Sequence, residues 1–315
     1  MTSLFGTIQG IGGGKVYPPK WHEIGYSSTP TEILDAFDYA KLIQANFTTG
    51  TKYTSDKKLF FFPAVDISEY LSLNGMFKDS NLMHTDELTV GQTTPTGNVN
   101  CQEMFRSSLV GNVKIKGKTS TQKLSVANMF LGCKVLKEAT LNDCKLIDTQ
   151  SMFNACSNLE DVIGNFDTSE STNFSQMFED CSSLVAMPQM NTSSATNMYR
   201  AFHNCTSLQT MEVLITNSVT NFQQMFWNCS ALKTLPLIPF TSATNLTNMF
   251  QGTGSNLTEQ SRDNILHSLT SATAYTGTKT LAQLGFTSSM YSASSWQALS
   301  YYSAFVNAGW SIGYS

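Results

Sequence analysis

Charge is scarce in this chain. Asp, Glu, Lys and Arg make up 13% of its 315 residues, about half of the roughly 25% usual for soluble domains. The 19 basic residues form no cluster beyond pairs such as Lys57-Lys58, and the net charge is −4. No nucleic-acid partner is expected, because displacing counterions from phosphates needs a basic stripe. Long apolar runs are missing as well. None approaches the roughly 18 residues that cross a bilayer, so no membrane insertion is expected. The opening MTSLFGTIQGIGGGK has no basic stretch leading into an apolar one and no cysteine for lipid attachment, which predicts folding in a cytoplasm.

Catalytic grammar is equally thin. There is no Cys-x-x-Cys pair among the seven cysteines. His22, His84, His203 and His267 have no acid or nucleophile at a recognisable spacing. His84 with Asp86 and Glu87 comes nearest to a ligand cluster and reads as a solvated loop. Gly6 to Gly14 lacks both Gly-Lys-Ser/Thr and a G-x-G-x-x-G opening a helix, so no phosphate loop is supported. The expectation is a non-enzymatic protein with no catalytic residues, cofactor or metal.

What the chain does have is a repeat. Met-Phe recurs at Phe77, Phe105, Phe130, Phe153, Phe178, Phe226 and Phe250, and Ala201-Phe202 fills the one gap. The last three spacings are 24 residues and the earlier ones run from 23 to 28. Around each Phe the apolar positions fall at i, i+3, i+4 and i+7, as in Phe174, Met177, Phe178 and Cys181. That is one stripe of a short helix. Asn100, Asn173, Asn197, Asn221 and Asn245 precede it as N-caps. Glu103, Gln176 and Gln224 stand three residues after such an Asn and predict capping boxes. Then follow short alternating runs (Leu208, Met211 and Val213; Leu232, Leu235 and Leu237) that read as strands with one face inward. Pro63, Pro188 and Pro236 close those strands.

Cys133, Cys156, Cys181, Cys205 and Cys229 occupy one place in successive units, and Ser80, Ser108 and Thr253 replace them elsewhere. Disulfides between neighbours are possible in distance but would pair only alternate units. Free thiols packed as small hydrophobes are the expected state. With the eight phenylalanines they form the structural ladder.

The predicted fold is α/β: a leucine-rich-repeat-type solenoid of about eight strand–short-helix units of ~24 residues, with helical caps at both ends. Residues 1–27 read as a Gly/Pro-rich arm, 28–58 as an N-terminal cap, 59–257 as the solenoid and 258–315 as a C-terminal cap. Helices are expected from Thr258 to about Thr270 and from about Ser294 to Ala308, with Gly309 as a C-cap.

The run Met/Ala-Phe-x-x-Cys-x-x-Leu, Leu/Met-Pro and Asp/Asn-Thr-Ser (Asp167-Thr168-Ser169, Asn191-Thr192-Ser193) resembles the BspA-like leucine-rich repeat. It is close to the variant known as the Mycoplasma-type lipoprotein repeat, over roughly residues 59 to 257. The closing Gly309-Trp310-Ser311-Ile312-Gly313-Tyr314 resembles the ends of such proteins encoded by gut bacteriophages and prophages. The resemblance implies a surface protein without catalytic residues. Two roles are expected from it. The first is a phage virion structural protein (tail, fibre or head decoration) that contacts other virion proteins and itself through the arm, and that can meet a host-surface receptor. The alternative is a bacterial surface adhesin. Two patches are candidates for binding. Trp227 and His203 lie in the variable column just after each Phe, which is expected to face solvent unless Trp227 folds over a neighbouring unit. Asp161, Thr210, Glu212 and Thr234 are expected on the outer sheet face.

Overall fold

The unit is organised by where its backbone N–H groups go. In the unit of Phe178, the N–H groups of Met177, Glu179 and Cys181 donate to carbonyls three residues back, at Phe174, Gln176 and Phe178. Between them, the N–H groups of Gln176, Phe178 and Asp180 donate to Tyr199, Ala201 and His203 of the next unit at 2.8, 2.9 and 2.8 Å. Gln176 and Asp180 are left-handed, with φ of 59° and 63°. A four-residue hydrogen-bonded turn with a left-handed third residue has the type II pattern. The same two positions are left-handed in other units: Glu103 and Ser107, Asn128 and Gly132, Ser151 and Ala155, Arg200 and Asn204, Gln224 and Asn228.

The expected short helix is therefore a pair of type II turns. The stripe of buried side chains is as expected, with Phe174, Met177, Phe178 and Cys181 all inside. Every second N–H leaves the unit, however, so no i→i−4 ladder forms. The expected N-caps change with it. Asn100, Asn173, Asn197, Asn221 and Asn245 each accept from the N–H two residues on, at 3.0–3.1 Å, which makes them Asx turns. The capping boxes do not form either. Glu103 pairs with Lys78 and Arg106, Gln176 donates to Glu179, and Gln224 accepts from Arg200.

The computed structural model describes residues 61–62, 65–66, 72–79, 84–91 and 97–314. The expected arm, the expected N-terminal cap, Pro63 and Ser80 lie outside them. The fold is mixed α/β, with parallel strands in two sheets. The first sheet contains β1 (Phe61–Phe62), β2 (Val65–Asp66), β3 (His84–Val90), β5 (Asn112–Gly117), β7 (Glu138–Asn142) and β9 (Asp161–Ile163). Its order is β1-β3-β5-β7-β9, with β2 also beside β3. The second contains β4 (Val99–Asn100), β6 (Lys123–Ser125) and β8 (Lys145–Ile147), in that order. Parallel neighbours oblige the chain to return to the same end after each strand. The return leg here carries the second sheet and the Phe turns.

Beyond β9 both sheets thin to single bridges. Ala186, Thr210 and Thr234 continue the first, and Asn173, Asn197, Asn221 and Asn245 the second. Pro188 and Pro236 follow the bridging residues and have no N–H to extend the pairing. The inward period changes as well: Leu208, Met211 and Leu214 are buried, as are Leu232, Leu235 and Ile238. Val213 and Leu237, expected to face inward, are 70% and 41% exposed.

Eight phenylalanines stack from Phe77 to Phe250 with ring centroids 5.1–5.9 Å apart. Phe286 adds a ninth ring, 5.1 Å beyond Phe250. That spacing is close to the roughly 4.8 Å between strands, so the aromatic column and the sheets share one repeat. At the last unit the partner is α1 (Glu259–Thr270). Its Ser261 and Ser268 hydroxyls, and Ser271 just after it, accept the N–H groups of Leu235, Ile238 and Phe240 at 2.9–3.0 Å. These serines satisfy the donors that a further strand would otherwise meet. Two short helices follow, α2 (Ala293–Gln297) and α3 (Tyr302–Asn307), with Gly309 left-handed after α3 at φ 84°.

Ala201 stands where the other units carry Met. Beside it is a cavity of about 10 Å³ lined by Phe174, Met177, Phe178, Met190, Met198 and Phe202. Thr192 also borders it, with its hydroxyl turned to the Ile215 carbonyl, and the other lining side chains are apolar. Ala201→Met is expected to fill it and raise stability by about 1 kcal/mol, read as a later denaturant midpoint with an unchanged slope. A lower midpoint would mean the site is already full.

Candidate binding surfaces

The column after each Phe was expected to be open, and it is half-buried throughout. Lys78, Arg106, Leu131, Asn154, His203, Trp227 and Gln251 are all of intermediate exposure, and Glu179 is only 7% exposed. Glu179 explains why. Its carboxylate accepts from Asn154 Nδ2 at 3.1 Å, Gln176 Nε2 at 2.5 Å and Arg200 Nη1 at 3.3 Å. Arg200 also donates through Nε to Gln224 at 2.6 Å. Four successive units, those of Phe153, Phe178, Phe202 and Phe226, contribute side chains to this polar network along the turn edge.

His203 and Trp227 lie beside this network. Their rings lie 5.9 Å apart at 30°, so Trp227 leans on the neighbouring unit. His203 Nδ1 sits 3.5 Å from Glu179 Oε1, is buried, and makes no hydrogen bond. Burial holds the His203 pKa below its ordinary 6.5; the Glu179 carboxylate opposes that shift and the Arg200 guanidinium adds to it. Asn204 and Asn228 extend a second line, donating to Asp180 at 2.7 Å and to Asn204 at 3.1 Å.

On the first sheet, Asp161 flanks buried Val162, and Thr210 and Glu212 flank buried Met211; these three and Thr234 are exposed. The turn-edge pair and the sheet residues thus lie on different legs of the unit. Sequence spacing missed one cluster. Lys114, Lys116 and Lys118 look dispersed along the chain, but β5 alternates and turns Lys114 and Lys116 outward, and Lys118 is exposed just past the strand. The signal was present in Val113 and Ile115, the apolar residues between them.

The cysteine ladder is chemically quiet. All seven cysteines are free and buried. The thiols of Cys133, Cys156, Cys181, Cys205 and Cys229 each donate to the Phe carbonyl of the preceding unit at 2.9–3.1 Å. Burial pushes the Cys133 and Cys144 thiols up to about 12 and raises the others. They are thus hydrogen-bond donors as well as apolar filler. Among the described residues, no group of three or more His, Cys, Asp or Glu could hold a metal ion. No helix there is long and apolar enough to cross a membrane.

Residues 124–236 and 147–264 match the model of a family described as "Mycoplasma protein of unknown function, DUF285". The chain is similar to that family over these units. No curated protein and no solved structure matches it.

Two outcomes follow from this chemistry. A thiol-reactive disulfide reagent should label no cysteine of the folded chain and all seven once it unfolds, because only an accessible thiolate reacts. Rapid native labelling would contradict the buried ladder. For His203, the unfolded state binds a proton at higher pH than the folded state. Stability is therefore full above the ordinary histidine pKa and falls as pH drops below it. His203→Gln should flatten that loss between about pH 7 and 5; an unchanged profile would assign the slope elsewhere.

Proposed function

We propose that the chain is a leucine-rich-repeat-type solenoid with helical caps at both ends, and that it serves as a non-enzymatic phage virion structural protein in a tail, fibre or head decoration. The observation that carries this reading is the unbroken stack from Phe77 to Phe286. A stack of this kind has the same interior in every unit and leaves the outward columns free to differ, which suits display of a surface. Support for the solenoid comes from the inter-unit hydrogen bonds and from the match to a repeat family. Support for a C-terminal cap comes from the serines that meet the last unit's N–H groups. In this reading the virion is assembled in a host cytoplasm, residues 1–27 dock onto other virion proteins or a second copy, and the solenoid faces outward, where it meets a host receptor.

A second reading, a bacterial cell-surface adhesin that binds host or matrix proteins, draws on one observation. The matching family is described from Mycoplasma, a cellular organism. Cryo-electron microscopy of the source particles, with gold-labelled antibody on the source cells, separates the two. Density for this chain in the particle, lost on deletion of residues 1–27, is the expected result. Label on cells and none in any particle would sink the virion reading in favour of the adhesin.

A further inference from the structure

Glu179 offers its two carboxylate oxygens to different partners. Oε2 accepts from Asn154 Nδ2 at 3.1 Å and from Gln176 Nε2 at 2.5 Å. Oε1 accepts from Arg200 Nη1 at 3.3 Å and also faces His203 Nδ1 at 3.5 Å. That nitrogen is buried without a hydrogen-bond partner. Two groups thus stand at one oxygen, and only the guanidinium is bonded to it. Arg200 does not depend on that bond. Its Nε donates to Gln224 at 2.6 Å, its guanidinium lies over the Tyr199 ring at 5.1 Å, and 32% of its side chain is exposed. The third charged group facing His203 is Asp180, which accepts from Asn204 at 2.7 Å. The following unit presents the uncharged Trp227, with its ring 5.9 Å from that of His203.

We propose that this part of the turn edge is an acid-operated switch, in which protonated His203 takes Glu179 Oε1 from Arg200 and frees the guanidinium. A neutral imidazole makes only an ordinary hydrogen bond to that oxygen. An imidazolium makes a charge-assisted one, roughly twice as strong, and is also attracted to the face of Trp227. Arg200 then yields, because two cations at one carboxylate oxygen repel each other. It keeps Gln224 and the Tyr199 ring, so its departure strands no buried charge. Glu179 keeps both bonds at Oε2, so the carboxylate stays fixed while its partner changes. Burial of His203 holds its titration below the ordinary 6.5, so the Arg200 form prevails at neutral pH and gives way as pH falls. At neutral pH the charges of Glu179 and Arg200 cancel. In acid the edge gains one positive charge and a free guanidinium, whose fork fits carboxylates. An acidic partner is therefore attracted to this edge more strongly in acid. The switch lies within the folded units and does not rest on the virion reading.

The test is NMR of the full chain titrated from about pH 8 to 5, with far-ultraviolet circular dichroism on the same samples. The His203 ring signals are those that His203→Gln removes from the four histidines. The Arg200 Nε–H signal is the one that Arg200→Lys removes from the three arginines. The expected result is a His203 midpoint below 6.5 and an Arg200 signal that shifts reversibly with the same midpoint, while the dichroism stays constant. In His203→Gln the Arg200 signal should hold still. Arg200→Gln removes the rival cation and should raise the His203 midpoint. Glu179→Gln removes the attracting carboxylate and should lower it. If buried Glu179→Gln fails to fold, the partly exposed Arg200→Gln still decides. An Arg200 signal that ignores the His203 titration would overturn the proposal. So would one that still moves in His203→Gln, a His203 midpoint that Arg200→Gln leaves unchanged, or a transition that coincides with unfolding.

Discussion

Alternate peptide groups of the Phe turn hydrogen-bond to the next unit rather than within their own, and the rest of the structure depends on that. It requires a left-handed residue two before and two after each Phe, a conformation that costs a non-glycine residue about 1–2 kcal/mol. The offset comes from the neighbour, whose carbonyls receive the redirected N–H groups at 2.7–3.1 Å. A unit alone would bear the strain without the bond. Stability is therefore a property of adjacent pairs, and the carbonyls and amides of the last unit need partners from outside the repeat. At the C-terminal end Ser261, Ser268 and Ser271 meet that need with hydroxyls.

The same geometry accounts for the composition. Units about 4.8 Å apart bring equivalent residues into direct contact, so each column must be compatible with itself. Phe on Phe satisfies this, and so do Asn beside Asn and Thr whose hydroxyl reaches the preceding Thr carbonyl. Like charges at that distance do not, because facing like charges destabilise a sheet. Where two cations do occupy neighbouring places, as Lys78 and Arg106 do, Glu103 stands between them. A buried carboxylate such as Glu179 is surrounded by donors from units on both sides. The scarcity of charge, with Ser, Thr and Asn in its place, is thus a consequence of stacking and not a separate feature.

Much of this was legible in the residues. The Phe period, the buried i, i+3, i+4, i+7 stripe and the equivalent cysteines all follow from side-chain pattern, because pattern reports which side chains are inside. It does not report where an N–H points. A helix and a pair of type II turns bury the same stripe, which is why the short helices, the N-caps at Asn173 and Asn221 and the capping boxes at Gln176 and Gln224 were read wrongly. Val213 and Leu237 were misplaced for a related reason. Apolar character suggested alternation, but the single bridges at Thr210 and Thr234 do not fix a period of two. The candidate pair at the turn edge was visible only as two unusual residues in a variable column. Nothing in the spacing brought Glu179 under His203.

The irregular early units provide the contrast that links fold to surface. The spacings between Phe77 and Phe153 are 28, 25 and 23 residues, and these units carry the longest strands, β3, β5 and β7, of seven, six and five residues. The regular 24-residue units carry single bridges at the equivalent place. The 23-residue unit carries the five-residue β7, so strand length does not simply follow unit length. A full strand fixes side-chain direction at every second residue, and that is how Lys114 and Lys116 come to project together. A bridge one residue long cannot do this, so the later units display looser combinations such as Glu212 and Val213. The ordered display of the early units and the looser display of the later ones thus begin in the backbone, where strands give way to bridges.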